Sequence, residues 1–365
     1  MVQNNHIKNT NFKIPRSDEF KESFLWLGGD LQTIRDSFCL NFKPSKNIEK
    51  VLIPVQVINS HEYKEEFLLG YLEFPNQDIP PKGLIFLTHG LGGSTKRFGL
   101  RRIAKEFLRD GFATFKLNLR GAGSGRYLSN SNYSARCSND IISAVNFLKN
   151  NYLLKFKKGY KDEISIPIFA VGLSLGGTII INSCLDYKRS DKLFDGIACV
   201  STPLNLLSSS KCIEKPRNYF YQKWLINRLK KQVLISDLYE NNNYGIKQLS
   251  INKIKTIREF DKFLTAPMWG YSSVEDYYLK ASPIYRIKNE ISNLPPTLLI
   301  HSKDDPWVPY ESTLELKDSL IDIQNNIQIL ITEKGGHNGF HSSTGCWSDK
   351  VVKNWLNFSL NKLEK

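Results

Sequence analysis

Hydrophobic positions along the chain follow two periods. Residues 51–58 and 67–74 are rich in β-branched and aromatic side chains; the polar segment 61–66 separates them and Pro80-Pro81 follows, a pattern that predicts a hairpin. Beyond it, short apolar runs alternate with segments of helical spacing. The run 84–88 precedes Leu100, Ile103, Ala104, Phe107 and Leu108, which share one face of a helix. The alternation continues through a strand over 113–117, a helix over 141–148, a strand over 166–171, a helix over 178–185 and a strand over 196–200. It lapses between about Thr202 and Asn293, where the chain is polar, aromatic and basic with helical stretches at 218–231 and 256–263, and it resumes with strands at 297–300 and 327–332. Such alternation implies the α/β class, with a mostly parallel central sheet and helices on both faces. Residues 1–202 and 293–365 are expected to form the core, interrupted by a helical cap over 203–292.

The composition is that of a globular protein: among 365 residues, 41% are hydrophobic and 24% charged, which excludes the low-hydrophobicity regime of disorder. No apolar stretch approaches the roughly 18 to 20 residues of a spanning helix. The excess of 50 Lys and Arg over 36 Asp and Glu gives a net charge of +14. These cations are spread along the chain, without zinc-finger spacing, an RNP-like run or a basic arm, so a generally basic surface is expected and nucleic acid is not an expected partner. Six scattered cysteines with no C-x-x-C pair indicate free thiols in a reducing compartment. Residues 1–10 lack an apolar signal core, and the expected address is the cytoplasm, with peripheral contact to an anionic membrane left open.

Chemistry concentrates at three places. Gly172-Leu-Ser-Leu-Gly-Gly177 lies between the strand 166–171 and the helix near Thr178. A sharp strand-to-helix turn strains the serine backbone, so the positions two before and two after must be small. The same turn lifts the Ser174 hydroxyl to a helix start, where free N–H groups favour developing negative charge. A serine hydroxyl is a poor nucleophile without a base, and the base needs an orienting acid. His337 follows the strand 327–332 in a glycine-rich segment; Asp304 and Asp305 follow the strand 297–300. All sit at carboxyl ends of strands, where an open parallel sheet gathers its ligand site. Periodicity does not separate Asp304 from Asp305, and His341 is the serious competitor for the base.

The strand 84–88 leads into His89-Gly-Leu-Gly-Gly93, a loop able to aim a backbone N–H inward. Leu91 N–H and Leu175 N–H are the candidate oxyanion donors, and His89 reads as a loop anchor. The glycines after Asn118 miss the third position of a dinucleotide fingerprint, and there is no P-loop. No H-E-x-x-H or Cys/His cluster points to a metal. No cofactor is expected.

The chain resembles the α/β-hydrolase superfamily, and within it the YheT-like branch that includes ABHD1/ABHD3-type and EMB8-like proteins. The resemblance rests on Gly29-Asp-Leu-Gln-Thr-Ile34, His89-Gly-Leu-Gly-Gly-Ser94, Asn118-Leu-Arg-Gly121, the Ser174 motif, Asp304-Asp-Pro-Trp-Val-Pro309 and Gly335-Gly-His-Asn-Gly-Phe340. It implies an α/β-hydrolase fold with Ser174 as nucleophile, Asp305 as acid and His337 as base. The chain departs from the branch at Asp30, where histidine is common, and at 121–125 and 134–137, loops expected to line the site. The implied activity is hydrolysis of short- to medium-chain acyl or lipid esters through an acyl-serine. The alternatives are acyl transfer to an alcohol on the same triad, or a non-catalytic binding protein. The aromatic and basic segment 215–231 suits a lid helix, either with an apolar underside and solvated basic top or laid against an anionic lipid surface.

Overall fold

The computed structural model describes residues 19–39, 48–58, 65–75, 80–153, 166–234, 248–323 and 325–363. Its strands are β1 (Ile48–Val55), β2 (Glu66–Glu73), β3 (Leu84–Thr88), β4 (Ala113–Asn118), β5 (Ile168–Leu173), β6 (Gly196–Val200), β7 (Thr297–Ser302) and β8 (Ile327–Thr332). They form one sheet in the order β1-β2-β4-β3-β5-β6-β7-β8. The β1/β2 and β2/β4 pairs are antiparallel, and every pairing from β4 through β3 to β8 is parallel. The helices that matter for the site are α1 (Gly29–Ile34), α2 (Phe98–Arg109), α3 (Ser138–Leu148), α4 (Leu175–Asp186), α5 (Leu206–Ile213), α6 (Tyr219–Leu234), α7 (Val274–Ala281) and α8 (Trp347–Leu363).

Side-chain alternation explains why the central strands read as continuous apolar runs. On β3, Leu84 and Phe86 enter one core with Ile141, Ala144 and Ile180 of α3 and α4. Ile85 and Leu87, pointing the other way, join Ile103 and Phe107 of α2 and Val352 and Trp355 of α8. Each central strand is covered on both faces, so neither set of its alternate positions needs to be polar, whereas edge strand β1 alternates buried and exposed residues.

The predicted elements are present, with boundary differences that have local causes. The helix after the Ser174 motif starts at Leu175 instead of Thr178. β5 runs on to Leu173, so one residue makes the whole strand-to-helix turn. Over the predicted helix 256–263, only Ile257–Phe260 is α-helical. Thr256 and Glu259 close a capping box at its start, and a π-helical turn at Asp261–Thr265 follows. Because β6 and β7 are neighbours, the helices between them form one long excursion at the carboxyl ends of the strands. Leu225, Leu229 and Val233 of α6 pack there with Ile251, Ile257 and Phe260 in an apolar cluster of their own. Among the described residues, no helix is long and apolar enough to cross a membrane.

Candidate active site

Ser174 has φ 55° and ψ −128°, a conformation an L-residue adopts only under constraint. Its N–H donates to the Val200 carbonyl at 2.8 Å and its carbonyl accepts from Gly177 N–H at 2.9 Å, so the backbone on both sides holds it. The flanking glycines are required sterically. A Cβ on Gly172 would stand 2.4 Å from the Gly177 Cα, and one on Gly176 would stand 2.7 Å from the Thr88 carbonyl oxygen.

His337 comes to the serine from the loop after β8. Its backbone N–H donates to Thr33 Oγ1 at 2.8 Å, and Asn338 N–H donates to Ser201 Oγ at 3.0 Å. Buried Gln32 grips the end of the same loop: its Oε1 accepts from His341 N–H at 2.6 Å and its Nε2 donates to the His341 carbonyl at 3.1 Å. The Leu-Gln-Thr run of α1 is therefore the seat of the histidine loop. Nothing local to this run signals that task, since it lies some three hundred positions away from the loop it holds.

His337 Nε2 lies 2.9 Å from Ser174 Oγ, and Nδ1 lies 2.8 Å from Asp305 Oδ2. The other Asp305 oxygen accepts the N–H groups of Trp307 at 2.8 Å and Val308 at 3.0 Å. An ionised carboxylate only accepts, so Nδ1 carries the proton and Nε2 presents its lone pair to the serine hydroxyl. Burial pushes the Asp305 pKa up, but His337 beside it, with His301 and the backbone donors, outweighs burial and holds the carboxyl below its usual value. Asp304 faces elsewhere and accepts Gly336 N–H at 2.9 Å. The indole of Trp307 stacks on the His337 ring at 4.5 Å between centroids and covers it from solvent.

The remaining described histidines have other partners. His341 is buried with Nε2 3.2 Å from Asp36 Oδ1. His301 Nδ1 meets Thr313 Oγ1 at 2.9 Å, and its Nε2 meets the Val308 carbonyl at 3.0 Å, bracing the Asp305 turn. His89 Nε2 accepts Leu119 N–H at 3.2 Å, so Nδ1 is the protonated nitrogen and donates to the Gly90 carbonyl at 2.9 Å. Burial lowers the His89 pKa to about 4, and the ring stays neutral as the anchor of its glycine loop. His6 and His61 lie outside the described residues.

In the loop after β3, Gly92 N–H is taken by the Tyr133 hydroxyl at 2.8 Å and Gly93 N–H by the Gly90 carbonyl at 3.0 Å. Leu91 and Leu175 line the same cavity as Ser174 and His337. That cavity holds about 500 Å³ and is walled by Ile34, Phe38, Phe98, Leu206, Phe220, Trp224 and Leu225 among others. Of its two carboxyls, Asp36 is bound by Arg102. Burial pushes the other, Asp261, up to about 6, and it accepts a hydrogen bond from Tyr278 at 2.8 Å.

Two expectations about the walls need correction. The loop 121–125 does not reach the cavity; Gly125 lies against Leu69 of β2, and Ser124 Oγ is 2.8 Å from the Tyr71 hydroxyl. Its glycines permit close approach, Gly121 to Ser131 and Asn132, Gly123 to Asn118 and Ser94, and Gly125 to Leu69. Within 134–137, Ser134 lines a small neighbouring pocket and not the main cavity. Asp30 accepts from Arg217 at 2.9 Å and Tyr221 at 3.0 Å, tying α1 to the segment leading into and along α6. Among the described residues, no group of three His, Cys, Asp or Glu could hold a metal ion.

Comparison with known proteins shows the family and the fold. Residues 79–341 match the Hydrolase_4 family, described as serine aminopeptidase, S33. The chain is 30% identical over 282 residues to an abhydrolase domain-containing protein of Dictyostelium discoideum, covering 76% of this chain and 67% of the relative. It is 27% identical over 289 residues to phospholipase ABHD3 of Homo sapiens, covering 76% and 64%. It is also 27% identical over 331 residues to monoacylglycerol lipase of Saccharomyces cerevisiae, covering 87% and 68%. The chain thus spans about two thirds of the length of these relatives. An esterase structure from Pyrococcus furiosus superposes with a TM-score of 0.52 at 15% identity, covering 89% of this chain and 95% of that one, which establishes the shared fold.

Proposed function

From the premise that the chain belongs to the Hydrolase_4 family of α/β-hydrolases, we propose that it cleaves carboxylic esters through an acyl-serine intermediate. The observation that carries this reading is the unbroken hydrogen-bonded series Ser174, His337, Asp305 opening onto an apolar cavity. Ser174 Oγ attacks the ester carbonyl while His337 Nε2 takes its proton. Asp305 keeps the imidazole in the reactive tautomer and stabilises the imidazolium, and the Leu91 and Leu175 N–H groups receive the oxyanion. His337 then protonates the departing alkoxide, and a water activated by the same nitrogen releases the acid. Residues 203–292 act as the cap, supplying Leu206, Phe220 and Trp224 to the acyl pocket of the 1–202 and 293–365 core. The names of its relatives, a phospholipase and a monoacylglycerol lipase, support acyl or lipid esters as the substrate class.

With p-nitrophenyl esters from acetate to palmitate, kcat/KM should rise with acyl length as the chain fills the cavity and fall once it is outgrown. A flat profile at the level of the uncatalysed reaction would remove the esterase reading. Phe38 and Phe220, 70% and 81% exposed, stand at the cavity on a protein of net charge +14, which supports peripheral contact with an anionic bilayer. The protein should float with phosphatidylserine liposomes at low salt and be released at high salt; failure to float at low salt would contradict this contact. All six cysteines are unpaired thiols, which supports a reducing compartment such as the cytoplasm.

A further inference from the structure

Several buried or half-buried arginines in this fold are answered by acids. Arg102 meets Asp36 and Asp349, Arg120 meets Glu66 and Asp140, and Arg286 meets Asp186 and Glu290. Arg97 and Arg228 are not. Among the described residues neither has a carboxylate within ion-pair distance, yet both guanidiniums pack on one indole: 4.7 Å from Arg97 and 5.1 Å from Arg228 to the ring centroid of Trp224. Arg228 spends its Nε proton on the Gly92 carbonyl at 2.8 Å. Arg97 and Trp224 line the cavity that contains Ser174. Burial, and then the charge of Arg228, lower the Arg97 pKa to about 10, as expected for two cations gathered without a counterion.

We propose that Arg97 and Arg228, held on Trp224 at the cavity, form an anion-binding subsite that receives a phosphate group carried by the ester substrate. Guanidiniums offer several N–H donors in fixed planes, which suits the oxygens of a phosphate, and two cations suit its double charge. A bound phosphate would relieve the repulsion between them. Because Arg97 and Trp224 line the cavity that contains Ser174, with Arg228 on the same indole, the phosphate and the scissile ester belong to one molecule: an acyl ester of a phosphorylated alcohol. This rests on the esterase reading above, so its test has one arm that needs hydrolysis and one that does not.

In the first arm, kcat/KM is compared for 1-dodecanoylglycerol and its 3-phosphate. The protein should prefer the phosphate by about tenfold or more, mainly through KM. Arg97→Gln should bring the two substrates to within about threefold, while Arg97→Lys, which keeps the charge, should retain part of the preference. Equal turnover of the two esters by the unmodified protein, or an unchanged preference in Arg97→Gln, would overturn the proposal.

In the second arm, Ser174→Ala protein is titrated calorimetrically with dodecyl phosphate, dodecanol and inorganic phosphate. Dodecyl phosphate should bind about tenfold more tightly than either alternative, and adding Arg97→Gln should erase its advantage over dodecanol. Inorganic phosphate binding as tightly as dodecyl phosphate would overturn the assignment to a substrate headgroup. An advantage that survives Arg97→Gln would overturn the site. Failure of all hydrolysis together with Arg97-dependent binding of dodecyl phosphate would sink the esterase reading and leave the subsite standing.

Discussion

Ser174→Ala is expected to lower ester turnover by about 10⁵- to 10⁶-fold, the range found when the nucleophile of a hydrogen-bonded triad is removed. The loss should lie in kcat, because the hydroxyl forms the acyl bond and contributes little to holding the substrate in the cavity. The fold should survive. The contacts that hold position 174 are backbone hydrogen bonds to Val200 and Gly177, and alanine keeps both. The positive φ strains serine and alanine alike, so the unfolding free energy in urea should move by less than about 1 kcal/mol. A variant that loses activity together with its folding transition would not bear on the chemistry; one that stays folded and turns over at the original rate would refute the role of Ser174.

Asp305→Asn should cost about 10³- to 10⁴-fold in kcat while leaving KM nearly unchanged. Asp305 accepts from Trp307 and Val308 N–H on one oxygen and from His337 Nδ1 on the other. An asparagine has a single carbonyl oxygen. Facing it toward the two backbone donors turns the amide NH₂ to His337, which must then accept at Nδ1 and carry its proton on Nε2, the nitrogen that faces Ser174. The base is left in the wrong tautomer. Asp304→Asn is the matched comparison: its carbonyl still accepts Gly336 N–H, and turnover should remain within about tenfold of the parent. The opposite ranking of the two variants in steady-state kinetics would exchange the roles of these neighbouring aspartates.

The sheet was legible in the sequence because its signal is local. A strand covered on both faces is a short apolar run, and 84–88, 196–200 and 327–332 carry their limits in the pattern itself. The Ser174 turn was legible for a similar reason, since its glycines answer steric demands within a few residues. What stayed hidden depended on contacts between distant segments. Asp304 and Asp305 share one loop and differ only in which faces His337. Gln32 and Thr33 hold the histidine loop from the other end of the chain. The place of the 121–125 loop is hidden because glycines that permit close packing, Gly121 against Ser131 and Asn132 and Gly125 against Leu69 of β2, look in sequence like glycines that make room for a ligand. The break in the 256–263 helix arises where Asp261 turns to Tyr278, a contact between segments that periodicity does not register.

In the proposed mechanism Ser174, activated through His337 and Asp305, is the residue that becomes acylated. The most direct test is to treat the folded protein with a fluorophosphonate and map the adduct by peptide mass spectrometry. One adduct per chain is expected, on the peptide containing Ser174, with labelling slowed sharply by Asp305→Asn and absent in Ser174→Ala. No adduct on the folded protein, or an adduct on any other residue that persists in Ser174→Ala, would contradict it.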